Sequence, residues 1–377
     1  MKHLSKDFLY LALALVLPLA LFGLTACDNP AGDYATYRDD NETRTITDAL
    51  NREVEIPAQV NSIITLGPGA PRLAAYLDVV DMLVGAEEYN TEDIVVLRDY
   101  NPVHIETFRE LPIVGQGGGS GDNNGFPEEI IITAPDVIIA AFDLEAADEL
   151  QAQTNIPVVS VRHRTGLFDD TFATALHIFA DVVGVDDRAF ELMSYIYDLQ
   201  TDLNARTEHI YDGDKPRVYA GAVTWNGRRG FAGTYSNFGP LAAIGAYNVA
   251  DASGIDGFFE ADFESVLVWD PDIIFLDPGN MDLVNAEYTA NPDYFNSLRA
   301  AQEGRVYGMP AFNFSGTNIT YALINVYYAG TILFPEEFDD IDIEGKAREI
   351  LEMFLGADTF DVIHDGGLRW EPITIGQ

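Results

Sequence analysis

Two segments, FPEEIIITAPDVIIAAF (126–142) and ADFESVLVWDPDIIFLD (261–277), repeat one pattern that decides the fold. Each contains a glutamate, an apolar helical turn, the dipeptide Pro-Asp and an apolar run rich in β-forming residues. The glutamate, Glu128 or Glu264, precedes the proline by the same number of residues in both copies. Because proline ends a helix and keeps the residue before it out of the helical region, each copy predicts a short helix, a turn and a parallel strand.

Apolar runs outside the two copies predict further α/β elements. The run from Ser62 to Leu66 leads into a Gly-Pro-Gly turn and a helix that starts near Pro71. This turn lacks the third glycine of a dinucleotide-binding fingerprint. The other predicted elements are a hairpin at 43–57 and strands at 156–161, 217–223 and 304–310. Two halves of similar construction imply an α/β fold with two Rossmann-like lobes, central parallel sheets and a cleft between them.

The segment between the halves predicts the longest helix of the chain. DDRAFELMSYIYDLQTDLNARTEHI (186–210) would extend roughly 40 Å as a helix. It follows a shorter predicted helix at 169–183, and an amphipathic helix is predicted at 343–356. One long helix would join the lobes rigidly. The predicted organisation is a signal peptide at 1–27, a flexible tether at 28–42, an N-terminal lobe at 43–166, a helical linker at 167–212 and a C-terminal lobe at 213–377.

The amino terminus has the pattern of an exported lipoprotein. Lys2 and Lys6 precede an apolar run, and the run ends in Leu-Thr-Ala before Cys27. This ending resembles a bacterial lipobox, which implies that Cys27 is lipidated and holds the protein on the outer face of a cell membrane. An uncleaved membrane anchor is the alternative. Cys27 is the only cysteine, so the chain cannot form an intramolecular disulfide.

The charge balance limits the possible partners. Against 61 aspartates and glutamates stand 21 lysines and arginines, which gives a formal net charge of −40. Such a chain would be repelled by nucleic acid and by an anionic membrane surface. The acidity is explained either by a solvated shell that maintains solubility or by adaptation to high salt.

Taken together, these segments resemble the substrate-binding lipoproteins of ABC importers for ferric siderophores, cobalamin and haem. The matching stretches occur in the family's order between about residues 44 and 355, and they include ITDALNREVEIP, LPIVGQGG, GPLAAIGAYNVAD and SLRAAQEGRVYGMP. The resemblance implies a monomeric, non-enzymatic receptor with a single rigid interlobe helix. It also implies that Glu128 and Glu264 dock on arginines of the permease. The alternative is that both are ordinary exposed carboxylates near helix starts.

The ligand of a two-lobed α/β binder lies at the carboxyl ends of the strands. Arg228 and Arg229 stand among aromatic residues after the strand at 217–223, and guanidinium groups bind carboxylates and stack on rings. Pairing with surface carboxylates is the alternative for both. The expected ligand-binding residues are Pro68, Arg72, Phe142, Arg162, His163, Trp225, Arg228, Arg229, Tyr235, Asn313, Phe314 and Asn318. The basic run continues into Arg164, and the Gly-rich stretch 115–125 is expected to line the cleft.

No histidines are spaced as a metal site, so we expect no cofactor of the protein's own and a metal that arrives with its ligand, as an Fe³⁺ chelate. His163 and Tyr235 are the residues that could complete an open coordination position. The leading hypothesis is capture of a ferric siderophore for an ABC importer, with cobalamin, haem and other metal compounds as alternatives. A metal-dependent or carboxylate-based enzyme is a second hypothesis, although the common catalytic motifs are missing. A surface adhesion or sensor protein is a third.

Overall fold

Both copies of the repeat fold as predicted in a computed structural model, which describes residues 42–118, 125–163, 167–168 and 170–377. The predicted signal peptide with Cys27, nearly all of the tether, most of the Gly-rich stretch and Arg164 lie outside the described residues. Among the described helices, none has both the length and the apolar character needed to cross a membrane.

The N-terminal half forms a parallel sheet flanked by helices. Its elements are β1 (Thr43–Thr47), β2 (Glu53–Pro57), β3 (Ile63–Leu66), α1 (Ala70–Tyr76), β4 (Ala86–Glu87), α2 (Asn101–Glu110), β5 (Ile113–Gly115), α3 (Pro127–Thr133), β6 (Val137–Ala140), α4 (Leu144–Thr154) and β7 (Val158–Ser160). Strands β3, β6 and β7 pair in that order, all parallel. Strands β4 and β5 form a second parallel pair, which a bridge between Ile63 and Leu83 connects to β3. The predicted hairpin is the antiparallel pair β1–β2.

Two helices connect the halves, α5 (Asp170–Val183) and α6 (Asp186–Thr207). Helix α6 has 22 residues, which gives a length of about 33 Å. The prediction of a long interlobe helix is therefore confirmed, although the helix ends at Thr207 rather than at residue 210. A turn in which the Ile210 N–H group donates to the Thr207 carbonyl replaces the last helical residues.

The C-terminal half repeats the parallel architecture. Its elements are β8 (Arg217–Gly221), β9 (Gly233–Tyr235), α7 (Gly239–Ala242), β10 (Tyr247–Asn248), β11 (Phe258–Glu260), α8 (Phe263–Trp269), β12 (Ile273–Leu276), α9 (Met281–Ala290), α10 (Pro292–Ser297), α11 (Arg299–Gln302), β13 (Val306–Gly308), α12 (Ile319–Leu333), α13 (Ile343–Leu355) and α14 (Phe360–Asp365). The sheet order is β10-β8-β12-β13, and every pair is parallel. Strands β9 and β11 form a separate antiparallel ribbon. The two-lobed α/β fold with parallel sheets is confirmed.

The Pro-Asp dipeptides explain why the two copies fold alike. The residues before the prolines, Ala134 and Asp270, adopt the left-handed conformation with φ of 49° and 39°, and each ends its helix. The aspartates after the prolines, Asp136 and Asp272, accept a backbone N–H group just before or at the start of the neighbouring strand, at 2.7 Å and 2.8 Å. Each copy thus sets the position of its strand in the sheet.

Helices α12 and α13 join the core of one half to that of the other. Helix α12 is buried over almost its whole length, and α13 packs against α12 and against α1 of the N-terminal half. One hydrophobic cluster includes residues of β3, α6, β8, α12 and α13. Both lobes are therefore held by a shared core in addition to α6.

Candidate functional site

A cavity of about 840 Å³ opens between the lobes at the carboxyl ends of their strands. Its wall in the N-terminal lobe consists of Pro68, Tyr89 and Leu97, and its wall in the C-terminal lobe consists of residues 224–228, Asp277, Gly279, Asn280 and residues 313–316. We call this space the interlobe cavity. Residues from both halves line it, as expected for a ligand site of a two-lobed α/β protein.

Trp225 stands at the centre of an aromatic cluster on the C-terminal wall. Its ring lies 5.3 Å from that of Tyr235 and 6.4 Å from that of Phe258, and the Trp225 and Phe258 rings are nearly parallel. Arg229 stacks on Phe258, with its guanidinium carbon 5.0 Å from the ring centroid. The Arg229 Nε atom donates to the Trp225 carbonyl at 3.0 Å, and Nη1 contacts Glu260. Arg229 therefore braces the loop that carries Trp225 and does not line the cavity.

Arg228, by contrast, lines the interlobe cavity. Its Nε atom donates to Asn280 Oδ1 at 3.1 Å, its Nη2 atom donates to the Gly279 carbonyl at 2.8 Å, and Nη2 is also paired with Asp282. The side chains of Arg228 and Asp282 are 53% and 62% exposed. An ion pair this exposed contributes little stability, so a ligand oxygen can replace Asp282 at small cost.

A polar cluster that the sequence analysis did not identify supports the C-terminal wall. Asp277, directly after β12, is buried, and burial raises the pKa of its carboxyl group. It accepts from Thr224 Oγ1 at 2.6 Å, and Asn280 Nδ2 donates to the same hydroxyl oxygen at 2.9 Å. The predicted residue Asn313 donates to the Thr224 carbonyl at 2.9 Å. The signal for Asp277 was its position immediately after a strand of the repeat.

A second cavity of about 550 Å³ lies behind Trp225, towards α6. Its lining includes Trp225, Tyr235, Asn313, Gln200 and Asn204. Trp225 and Asn313 belong to the walls of both cavities, whereas Tyr235 belongs only to this rear cavity. Burial raises the pKa of the Tyr235 hydroxyl, and the nearby carboxylate of Asp256 raises it further.

Arg72 occupies a different place from the one expected. Its side chain is 1% exposed, and its Nε atom forms an ion pair with Asp99 at 2.7 Å. Its Nη1 and Nη2 atoms donate across the lobes to the carbonyls of Ser315 and Phe314, at 2.8 Å and 3.1 Å. Since each of its nitrogens already has a protein acceptor and the side chain is buried, Arg72 holds the lobes together instead of facing a ligand. Its helix, α1, is buried at every position.

Asn318 is likewise an interlobe residue and not an exposed one. It is fully buried, its Oδ1 atom accepts from the Asp99 N–H group at 3.3 Å, and its Nδ2 atom donates to the Leu97 carbonyl at 3.1 Å. Phe314 does line the cavity, as predicted, and Pro68 lies on the opposite wall. We refer to the contacts of Arg72, Asp99 and Asn318 across the lobes as the interlobe clasp.

The three remaining predicted residues surround the end of β7 and line neither cavity. Phe142 is 7% exposed and packs beside Gly67. Arg162 is exposed and forms no ion pair with any described residue. The His163 ring lies beside Gly69 and makes an edge contact with Phe172. The part of the chain that the structure describes contains no group of three His, Cys, Asp or Glu side chains placed to hold a metal ion.

The N-terminal wall is supported by a buried carboxyl group. Glu87 is 3% exposed, and burial raises the pKa of its carboxyl group to about 7. Its Oε1 atom accepts from the Gly67 N–H group at 2.8 Å, and Oε2 contacts Asn90 Nδ2. The hydrogen bond to Gly67 attaches the turn before Pro68 to the segment that carries Tyr89.

The two glutamates of the repeat occupy equivalent exposed positions. Glu128 lies in the first turn of α3 and Glu264 in the first turn of α8. The next turn of each helix presents exposed apolar side chains, Ile131 and Ile132 on α3 and Leu267 and Val268 on α8. Both lobes therefore display a carboxylate beside an apolar pair.

The chain is similar to known periplasmic binding proteins in sequence and in structure. The family model described as periplasmic binding protein matches residues 63–311. The molybdate-binding protein MolA of Haemophilus influenzae is 25% identical over 335 residues, covering 82% of this chain and 90% of MolA. Among solved structures, a periplasmic solute binding protein from Veillonella parvula has a TM-score of 0.66 at 18% identity, covering 87% of this chain and 97% of that one. MolA bound to molybdate has a TM-score of 0.64 at 22% identity, covering 84% and 98%. At these identities the structural likeness shows the fold alone.

Proposed function

The chain belongs to the periplasmic binding protein family, and on this premise we propose that it is an ABC importer's receptor whose cargo is a metal chelate, with a ferric siderophore as the first candidate. The family makes it an extracytoplasmic solute-binding protein, a class of transport receptors rather than of enzymes. The metal is part of the cargo in this proposal. Haem and cobalamin are alternative cargoes of the same kind.

The observation that carries the proposal is the interlobe cavity. Its volume of about 840 Å³ lies within the range of roughly 300–1,000 Å³ typical of sites for drug-sized ligands. Trp225, Tyr89 and Phe314 offer ring faces, and Arg228 offers a guanidinium group whose present partner is an exposed carboxylate. Aromatic faces with an arginine donor suit a chelate that has flat ligand groups and oxygen atoms on its surface.

Molybdate is a second candidate cargo because the relative MolA is named for it. The similarity to MolA extends over 335 residues at 25% identity, which is enough to make the oxyanion a required member of any ligand panel. A tetrahedral oxyanion would occupy only part of the interlobe cavity.

Isothermal titration calorimetry of the purified protein distinguishes these cargoes. The panel contains ferric hydroxamate and ferric catecholate siderophores, haem, cobalamin, molybdate and free Fe³⁺. We expect micromolar or tighter binding of one chelate class and none of free Fe³⁺. Binding of molybdate alone would replace the chelate proposal, and an absence of binding by every compound would contradict it.

Arg228→Gln tests whether the bound compound lies in the interlobe cavity. A hydrogen bond from a charged donor contributes about 1.5–3 kcal/mol, so the dissociation constant should rise at least about tenfold. The double variant Arg228→Ala/Arg229→Ala should lose at least as much. Arg369→Gln is the matched control, because Arg369 is also about half exposed and paired with a surface carboxylate, Glu371, but lies outside both cavities. Equal affinities of Arg228→Gln and the control would place the ligand elsewhere.

The remaining parts of the proposal concern the membrane and the importer. Cys27 is proposed to be lipidated, which would hold the receptor on the outer face of the membrane as a monomer. Glu128 and Glu264 are proposed to dock on basic residues of the permease, one from each lobe. Their equivalent exposed positions on α3 and α8 support this assignment.

A further inference from the structure

We propose that Arg98, which is buried behind the N-terminal wall, is an anion-binding residue and that it binds a pair of anionic oxygens of the ligand when the Tyr89 ring moves aside. The ligand class is a compound with two oxygens that share a negative charge, either a carboxylate on a chelate or a tetrahedral oxyanion. This inference rests on the proposed function, since it concerns the ligand of the same interlobe cavity.

Arg98 is a buried cation without a carboxylate partner in the part of the chain that the structure describes. Its side chain is 0% exposed, and no described residue forms an ion pair with it, although the chain carries 61 acidic residues. Its Nη1 atom donates to the Tyr89 carbonyl and to Asn90 Oδ1, the latter at 3.3 Å. Its Nε and Nη2 atoms are buried and have no hydrogen-bond partner among the described residues. Burying a charge without such partners is costly, which calls for a functional reason.

The two unpartnered nitrogens have the geometry of an anion receptor. In a guanidinium group, the N–H bonds of Nε and Nη2 lie on one edge of the plane and point in parallel. This edge is the one that binds both oxygens of a carboxylate or of a phosphate-like anion. The described residues thus leave unpartnered the edge best suited to an oxygen pair, while Nη1, the remaining terminal nitrogen, positions the group.

The neighbouring carboxyl groups of Asp99 and Glu87 do not neutralise the positive charge of Arg98. Asp99 is committed to Arg72 at 2.7 Å, to Thr320 Oγ1 at 2.7 Å and to the Tyr76 hydroxyl. Glu87 accepts from the Gly67 N–H group. The pKa of the Glu87 carboxyl group is about 7, so this group is only partly ionised at neutral pH. The positive charge of Arg98 therefore remains available to a ligand.

Tyr89 contacts Arg98 and also lines the cavity, whereas Arg98 does not line it. The guanidinium carbon lies 4.1 Å from the centroid of the Tyr89 ring, and that ring is part of the cavity wall. Leu97, the chain neighbour of Arg98, belongs to the same wall. The cation–π contact contributes only about 0.5–2 kcal/mol. An anion that binds the free edge of Arg98 can therefore compensate for the loss of this contact.

The test compares the wild type with Arg98→Met by calorimetry, using molybdate, ferric citrate and an uncharged ferric trihydroxamate as probes. We expect the affinity of Arg98→Met for an anionic probe to fall at least tenfold and its affinity for the uncharged probe to stay within twofold. The anionic probe that responds identifies the oxyanion or the carboxylate as the source of the oxygen pair. Arg217→Met is the control. Arg217 also forms no ion pair with a described residue, and it lies at the amino end of β8, away from the cavity at the carboxyl ends of the strands.

Two further variants keep the test decisive. Arg98→Lys retains the charge but not the parallel N–H bonds, so it should also lose affinity for the anionic probe, and it replaces Arg98→Met if that variant does not fold. Tyr89→Ala should accelerate association of the anionic probe in stopped-flow measurements. Unchanged affinity of a folded Arg98 variant overturns this inference and leaves the proposed function intact. Wild-type binding of only the uncharged probe also overturns it, whereas binding of no probe and no member of the chelate panel overturns both.

Discussion

Arg72, Arg98 and Arg228 lie in or near the interlobe cavity, and their environments suit them to different roles. Arg72 is buried with Asp99, and breaking a buried pair of this kind by removing one partner costs about 3–5 kcal/mol. Arg228 is half exposed, and its pair with Asp282 can be exchanged at little cost. Arg98 is buried, and one edge of its guanidinium group has no hydrogen-bond partner among the described residues. Arg72 is therefore suited to a structural role, whereas Arg228 and Arg98 are suited to ligand binding.

Because burial raises the pKa of Glu87, we expect the free energy of unfolding to depend on pH. Burial raises the pKa of its carboxyl group from 4.5 to about 7 in the folded state, so the folded protein retains a proton that the unfolded chain has lost between these values. The contribution of Glu87 to stability is therefore largest below pH 4.5, falls as the pH rises towards 7 and is constant above, a change of roughly 3 kcal/mol. Glu87→Gln has no carboxyl group to ionise, so the stability should no longer fall over this pH range, and the amide oxygen can still accept from the Gly67 N–H group.

Denaturant unfolding of wild type and Glu87→Gln at several pH values measures the effect. The stability of the variant relative to wild type should rise between pH 4.5 and 7 and level off above that range. Glu88→Gln, at the exposed neighbouring position, removes the same formal charge and serves as the control. A stability difference between Glu87→Gln and wild type that does not depend on pH would contradict the burial argument.

At the scale of elements, the two copies of the repeat were predictable and helix α12 was not. Helices α3 and α8 with strands β6 and β12 follow from a local signal, an apolar run interrupted by Pro-Asp. Helix α12 was not predicted, because a helix buried on all sides lacks the amphipathic period that distinguishes a helix from other apolar segments.

The cavity residues that could be predicted from the sequence lie in the loops that follow strands. Trp225 and Arg228 follow β8, and both reach the cavity. Arg72 follows a glycine-rich turn, yet its helix is wholly buried, which the sequence does not reveal. Tyr89 and Arg98 belong to a segment without regular periodicity, and only long-range packing brings them to the cleft.

The exposed glutamates on α3 and α8 allow a test of the proposed docking on an importer. In a reconstituted importer, Glu128→Gln combined with Glu264→Gln should lower ligand-stimulated ATP hydrolysis at least about tenfold, since removing one partner of an interfacial charge pair costs about 2–5 kcal/mol. Ligand affinity should not change, because both residues lie outside the cavities. Glu129→Gln, the exposed neighbour on α3, is the control. Normal ATP hydrolysis with the double variant would show that these glutamates do not dock.

At the scale of the whole molecule, the interlobe clasp and the shared core limit the motion of the lobes. Gly69 and Gly316 approach so closely that a Cβ atom on Gly316 would lie 3.0 Å from the Gly69 Cα atom, and Gly316 has φ of +83°. Arg72 and Asn318 bridge the lobes beside this contact. Helix α6 and the packing of α12 and α13 add rigid connections. We therefore expect ligand binding to move side chains such as Tyr89 more than it moves whole lobes.

The most direct test of a ligand held between the lobes is tryptophan fluorescence. The chain has three tryptophans, and Trp225 alone among them lines the interlobe cavity. Addition of a ferric siderophore should quench the wild type and Trp269→Phe equally. Trp225→Phe should lose most of the quenching while calorimetry still detects binding. Full quenching in Trp225→Phe, or loss of quenching in Trp269→Phe, would contradict the placement of the ligand in the interlobe cavity.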